Sequence, residues 1–347
     1  MSEIRPTPRS DRDLHGDRDL PSHDGSMTAI AYRRYGPPEV LRPETVPIPT
    51  PGPEDVLIKV HATTVSSADA AFRSGKPFAA RLAAGPFLPK RSVLGGDAVG
   101  EVVAVGAAVT GVDVGERVVA VCGIEMGASA EYLRAPAVGV VGVPETLSDS
   151  DAVAVVDGGL TALPFLRDHA KVRAGQRVLV NGASGSVGTA AVQLAKHLGA
   201  HVTGVCSTAN VELVRSLGAD EVIDYTAADF TAARDAYDVV FDAVGMSSFR
   251  RTRRALRRPG IYLTTVPSLA ILVQMLVTRR AARRAGIAFT GLRTAPDKAK
   301  DLALLMRLLE SRELRPVIDR RFALTELGEA HRLVDSGRKR GAVVVSV

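Results

Sequence analysis

A chain of 347 residues is long enough for two domains and a sizeable apolar core, which the absence of tryptophan and an aromatic content of 4% make mostly aliphatic. Two cysteines, Cys122 and Cys206, exclude a disulfide framework and a four-cysteine zinc site, so a reducing, cytoplasmic setting is expected. The net charge of +6 does not point to nucleic acid, because the arginines gather at 250–254, 257–258 and 279–284 without an RNA-binding or helix-turn-helix signature, and they are read as solvated helix surface.

Residues 1–26 are rich in Arg, Asp, His and Pro and have almost no apolar periodicity. They bury too little surface to offset their ordering entropy and are expected to be disordered. They also lack the apolar stretch of a signal peptide and are too acidic for a transit peptide. From Thr28 to about Val143 the chain is β-rich, with strands expected at 29–32, 56–60, 100–105 and 117–121, punctuated by Pro and Gly. That pattern predicts a compact, barrel-like β domain. From about Asp151 strands and helices alternate. A helix is expected over 151–169. Strands follow at 177–180, 201–205, 221–224, 239–242, 261–265 and 287–291, with helices between most of them. Short strands separated by helices predict a parallel, doubly wound sheet. A helix at 298–310, a strand at 317–322, a helix at 324–336 and a strand at 342–347 complete the chain, and the last strand is a candidate to return to the first domain. The apolar run 264–277 contains Pro267 and Gln274 and is too short for stable membrane insertion. Within it, 268–276 reads as an apolar wall or a dimer contact.

Residues 177–188 carry the chemistry. A buried strand ends at Gly182, Gly185 and Gly188 follow at three-residue spacing, and Val187, Ala191, Leu194, Ala195 and Leu198 mark one face of the next helix. Strand, glycine turn, helix and strand in succession are the context of a dinucleotide site. Glycine lets backbone N–H groups approach a pyrophosphate, and the helix terminus adds unpaired donors. The second strand ends in Cys206, Ser207, Thr208, Ala209 and Asn210, where an NAD site usually carries an acid. Two hydroxyls and an amide there suit a 2′-phosphate, and no carboxylate repels it, which favours NADPH. The alternative is that Ser207 and Thr208 only cap the following helix.

Further segments, in the right order, match one family. They include Tyr35, Gly36, Pro37 and Pro38; Asp69 with Arg73 and Gly75; Leu94, Gly95, Gly96 and Asp97, then Gly100, Glu101 and Val102; and Val114 to Val118. Leu160, Thr161 and Ala162, then Leu217 to Asp220, Asp242 to Gly245, Pro316 to Asp319 and Gly341 also match. Over nearly all of 28–347 the chain resembles the medium-chain dehydrogenase/reductase superfamily, and within it the zinc-free, NADPH-dependent quinone oxidoreductase branch. The resemblance implies an α/β protein with two parts: a GroES-like β-barrel catalytic domain (27–150 and 293–347) and a doubly wound parallel-sheet Rossmann domain (151–292). It also implies an active-site cleft between them and a homodimer formed through the Rossmann sheet.

Zinc members of the superfamily place Cys, then His, then Cys or Asp at their catalytic metal. Here those positions fall in 65–69, at Gly95, Gly96 and Asp97, and near Asp157. Asp69, Asp97 and Asp157 are not a credible zinc set, so no metal is expected. A quinone or α,β-unsaturated carbonyl accepts hydride without a Lewis acid, and its anion takes a proton from water, so no obligatory catalytic acid or base is assigned. Ser184, Ser186 and Val187 join the three glycines at the pyrophosphate, and Ser207, Thr208 and Asn210 hold the 2′-phosphate. Tyr225 packs near the adenosine or caps a turn. Val244, Gly245, Thr264 and Val266 line the nicotinamide side, with Thr161 placed there by resemblance. Ser66, Asp69, Phe72 and Arg73 face the acceptor. The competing functions are a trans-2-enoyl-thioester reductase, a zinc-free alcohol dehydrogenase-like enzyme and a non-catalytic NADPH-binding sensor. No nucleic-acid partner is expected.

Overall fold

A computed structural model describes residues 25–347, without the side chains of residues 79, 82, 83 and 124. The expectation for the N-terminal segment therefore lies outside the described residues, apart from its last two. Of these, Ser26 already pairs with Pro47.

The first part of the chain is a mostly antiparallel sheet. β1 (Ser26–Ala31) and β2 (Arg42–Pro47) form a separate hairpin. β3 (Asp55–Thr64) leads into α1 (Ser67–Ser74) and α2 (Phe78–Ala84), then β4 (Asp97–Val105), β5 (Arg117–Val121), β6 (Tyr132–Pro136) and β7 (Val140–Gly142) follow. α3 (Asp149–Ala154) and α4 (Val156–Pro164) then cross to the second sheet. There the order is β8 (Arg177–Asn181), α5 (Ser186–His197), β9 (His201–Cys206), α6 (Val211–Ser216), β10 (Glu221–Asp224), β11 (Tyr237–Asp242), α7 (Phe249–Thr252), β12 (Leu256–Thr264), α8 (Leu269–Thr278) and β13 (Arg283–Ile287). α9 (Ala295–Glu310), β14 (Ile318–Ala323), α10 (Leu327–Asp335) and β15 (Ala342–Ser346) return to the first sheet.

The second sheet runs β10-β9-β8-β11-β12-β13, and every pairing is parallel. Val178, Leu179 and Val180 are fully buried in succession, because helices cover both faces of β8. The strand order reverses between β8 and β11, which opens a crevice beyond their carboxyl ends, where such sheets bind ligands. In the first sheet β15 pairs antiparallel with β3, Val344 opposite Thr64, so the last strand does return as its sequence suggested. One apolar core spans both sheets. Ala62, Val99 and Val119 of the first join Val178 and Val180 of the second through Val153, Val156, Leu302 and Leu305 on α3, α4 and α9. This shared core holds the two sheets in one arrangement, with the crevice between them.

Several local expectations are corrected. The single helix over 151–169 is two helices, and the backbone changes direction at Val155 (φ −91°, ψ −9°). Pro164 lacks the N–H that would continue the regular ladder, and a wider π-type turn covers Phe165–Ala170. The strand expected at 287–291 is β13, four residues earlier. Arg283 pairs with Gly260 and Ile287 with Thr264, and beyond Ile287 the chain turns out of the sheet. The arginines expected on helices are therefore partly in strands: Arg257 and Arg258 in β12, Arg283 and Arg284 in β13. Strand pairing overrides their polar look because Ala285 and Ile287 supply the buried side chains of β13.

Candidate cofactor cleft

Steric crowding explains two of the three glycines of the turn after β8. Gly182 has φ +79°, and a Cβ there would stand 2.4 Å from Val244 Cγ1. At Gly188 a Cβ would stand 2.0 Å from the Gly182 carbonyl oxygen, so only glycine lets α5 pack this close to β8. Gly185 is different: an added Cβ would meet only the Gly182 carbonyl oxygen, at 3.7 Å, an ordinary contact. Gly185 also precedes α5 without any side chain capping the helix. The first N–H groups of α5 therefore have no side-chain partner, and they carry the positive end of the helix dipole. Ser184, Ser186 and Val187 are half-buried around this opening. Ser186 Oγ donates to Asp157 Oδ2 (3.1 Å) on the first turn of α4, the helix that also carries Thr161.

The opposite wall is organised by a residue whose role was not read from the sequence. Asp242, fully buried at the end of β11, accepts from Asn181 Nδ2 (2.9 Å), Gly245 N (2.9 Å), Ser247 N (2.8 Å), Val244 N (3.3 Å) and the Tyr262 hydroxyl (3.0 Å). The backbone bonds lock the loop after β11 that presents Val244, 44% exposed, beside Val266 of the loop after β12, 46% exposed. Gly245 (φ +68°) lies against Val266, with no room for a Cβ. Thr264 is buried, and its hydroxyl accepts from Val266 N (3.3 Å), so it supports the wall from behind. The signal was present: an acid ending a buried strand just before a glycine-containing turn.

At the far end, Asn210 Nδ2 donates to Ser184 Oγ (3.1 Å) and Ser207 Oγ (3.2 Å), which ties the β9 turn to the glycine turn. Tyr225 is 60% exposed, and its N–H bonds the Cys206 carbonyl (3.0 Å). The expectation that no carboxylate stands here is corrected. Asp224 lies level with Cys206 on the neighbouring strand and accepts from the Thr208 hydroxyl (2.5 Å). Hydrogen bonds from Thr208 and Thr226 hold its carboxyl below the usual range. The acid was missed because it reaches the turn through β10, not along β9.

Among the residues expected to face the acceptor, Ser66 caps α1, and Asp69 completes a reciprocal box. Its Oδ2 accepts from Ser66 N (2.8 Å) and Oγ (2.6 Å), and its Oδ1 accepts from Gly95 N (3.1 Å). Arg73, 1% exposed, donates to the Gly36 carbonyl (3.2 Å) and to Asp335 (2.7 Å) on α10. Phe72 packs into the apolar cluster of Tyr32, Leu41 and Leu327. Asp69 and Arg73 thus direct their polar atoms into the domain. Asp97 is buried with both oxygens accepting from the Thr64 hydroxyl (2.8 and 3.1 Å); burial, then the Asp157 charge, push its carboxyl up to about 8. Burial likewise pushes Cys122 up to about 12 and Cys206 up to about 11.

A strap of chain leading into β15 meets the glycine turn. Gly341 N donates to the Ser184 carbonyl (2.8 Å), and Gly341 pairs with Gly185 as an isolated bridge. Arg338, Lys339 and Arg340 precede it, between two glycines with left-handed backbone, Gly337 and Gly341. Lys339 Nζ donates to the Gly341 carbonyl (2.9 Å). Burial lowers its ammonium pKa against the opposing pull of Asp157 and Asp319. Three consecutive cations were visible in the sequence; their approach to a turn some 150 residues earlier was not.

Residues 52–145 match a family model described as an alcohol dehydrogenase GroES-like domain, and 217–345 one described as a zinc-binding dehydrogenase. Zinc does not fit the donors present. Among the described residues no three His, Cys, Asp or Glu side chains gather as a metal-holding group, and Asp69 and Asp97 are taken by Ser66, Gly95 and Thr64. The chloroplastic quinone oxidoreductase QR1 of Triphysaria versicolor is 32% identical over 92% of this chain and 98% of its own. The solved quinone oxidoreductase of Coxiella burnetii is 32% identical, covering 93% of this chain and 99% of that one, with a TM-score of 0.83. A mycobacterial protein solved in complex with NADPH is 30% identical over 93% and 100%, with a TM-score of 0.78. The fold, the glycine turn and these likenesses agree: the chain belongs to the medium-chain dehydrogenase/reductase superfamily, in its quinone oxidoreductase-like branch.

Proposed function

We propose that this protein reduces quinones or α,β-unsaturated carbonyls with hydride from NADPH and without a metal ion. The observation that carries the reading is the glycine turn at the uncapped start of α5, where Gly185 leaves room for a Cβ without a clash, set at the switch point of the parallel sheet. The likeness to two quinone oxidoreductases and to a protein solved with NADPH supports it.

When bound, NADPH supplies the hydride from C4 of its nicotinamide ring. Gly182, Gly185, Gly188, Ser184, Ser186 and Val187 hold the pyrophosphate, and the basic strap adds positive charge over it. Ser207, Thr208 and Asn210 receive the 2′-phosphate beside Tyr225. Thr161, Val244, Gly245 and Val266 flank the nicotinamide, with Thr264 behind them. Ser66 and Phe72 border the acceptor, and Asp69 and Arg73 fix α1 beneath them. The protein's contribution is orientation and exclusion of water, and the reduced acceptor takes its proton from water. The open edge of β13 and exposed apolar side chains on α8, among them Leu269 (83%) and Leu276 (66%), support a homodimer through the parallel sheet. No helix among the described residues is long and apolar enough to cross a membrane, and a cytoplasmic setting fits the two unpaired cysteines.

NADPH oxidation measured with 1,4-benzoquinone, a 2-alkenal and a trans-2-enoyl-CoA tests the reading. Turnover with the quinone or the alkenal, above that with the thioester, is expected. Tight NADPH binding with no oxidation by any acceptor contradicts it and favours the sensor.

A further inference from the structure

Thr208, one of the two hydroxyl residues assigned to the 2′-phosphate, is already occupied: it donates at 2.5 Å to Asp224 Oδ2. The other oxygen of Asp224 accepts from Thr226 N (2.9 Å) and Thr226 Oγ1 (2.7 Å), and the two threonine hydroxyls lie 3.1 Å apart. The carboxylate is fixed in place, because parallel pairing sets Asp224 opposite Cys206, one residue before Ser207. Asn210 is equally committed, to Ser184 and Ser207. Among the described residues no arginine or lysine forms a hydrogen bond or ion pair with Asp224, so the negative charge facing this turn is not neutralised by a salt bridge. The nearest basic side chain on α6, Arg215, is paired with Glu212.

We propose that Asp224 sets the coenzyme preference of this protein by opposing the 2′-phosphate, so that NADPH is favoured over NADH only modestly. The inference rests on NADPH occupying the β9 turn as described above. The physical cause is simple. A 2′-phosphate brings close to two negative charges to within a few ångströms of a fixed carboxylate, and it must take the Thr208 hydroxyl away from that carboxylate to bond it. NADH brings a neutral 2′-hydroxyl, which a carboxylate accepts from readily. An acid on β10 therefore acts where NAD-specific sheets use an acid at the end of the second strand. Asp224 is a specificity-determining residue here and takes no part in hydride transfer.

The test is a fluorescence titration of the full-length protein with NADPH and with NADH, before and after Asp224→Asn. Asparagine keeps an acceptor for the Thr226 turn and removes the charge. The expected result is that NADPH binds about three- to tenfold tighter in the variant, from loss of one nearby unit charge in a wet site, while NADH binds equally or more weakly. If Asp224→Asn unfolds, Asp224→Ser, which also keeps a short acceptor, carries the same expectation. A folded variant whose NADPH-to-NADH affinity ratio stays within about twofold of the parent overturns the proposal. Failure of the underlying reading looks different: the parent protein binds neither coenzyme, and the comparison has no starting value.

Discussion

Asp97 combines deep burial with a carboxylate neighbour, and both raise its pKa to about 8, against about 3.9 for an unfolded aspartate. Between those values the folded chain holds a proton that the unfolded chain has released, so Asp97 lowers stability as pH rises from about 4 towards 8. Asp97→Asn is expected to flatten that fall: melting temperatures at pH 5 and pH 8 should lie closer together in the variant than in the parent. Equal slopes in the two proteins would show Asp97 ionised in the fold. At this scale the sequence was legible by residue type and not by role. Ser66, Asp69 and Arg73 stand out as a polar motif, yet Arg73 finds its partner in Asp335, 262 residues away. Local spacing cannot show that an arginine which looks ready for a substrate ends 1% exposed beneath a helix. Asp242 hid for the same reason, since its five donors come from β8, from its own turn and from β12.

Among the elements, the turn between β8 and α5 was the most legible, because glycine spacing and flanking periodicity all lie within one short segment. Its glycines separate folding from binding, and two substitutions distinguish them. Gly188→Ala drives a Cβ to 2.0 Å from the Gly182 carbonyl, so about 2–4 kcal/mol of stability should be lost, read by urea unfolding. Gly185→Ala meets nothing closer than 3.7 Å and has an ordinary negative φ, so unfolding should change by less than about 0.5 kcal/mol. If the proposed pyrophosphate site is right, NADPH affinity should fall tenfold or more. Stability lost equally in both, or unchanged NADPH binding in Gly185→Ala, would contradict this division. The segments misread were those where pairing outweighs local appearance. The arginines that open β13 look like a solvated helix until the register with β12 buries Ala285 and Ile287. The break at Val155 has no local sequence mark, and it is set by the packing of α3 on β3 and of α4 on α5.

Across the whole molecule, two sheets share one apolar core, and a strap that runs from α10 into β15 meets the turn between β8 and α5. The alternation of strands and helices announced the parallel sheet, and the final apolar strand announced the return to the first. The strap's contact with Ser184 was not legible, because it exists only once β15 has paired with β3. The proposed activity is hydride transfer from NADPH, held at the start of α5, to a conjugated acceptor without a metal ion. The most direct measurement is NADPH oxidation with 1,4-benzoquinone by protein dialysed against a chelator, with its zinc content determined on the same sample. Undiminished turnover with zinc far below one ion per chain is the predicted result. Activity that disappears with the metal and returns on adding zinc, or no NADPH oxidation at all, would contradict it.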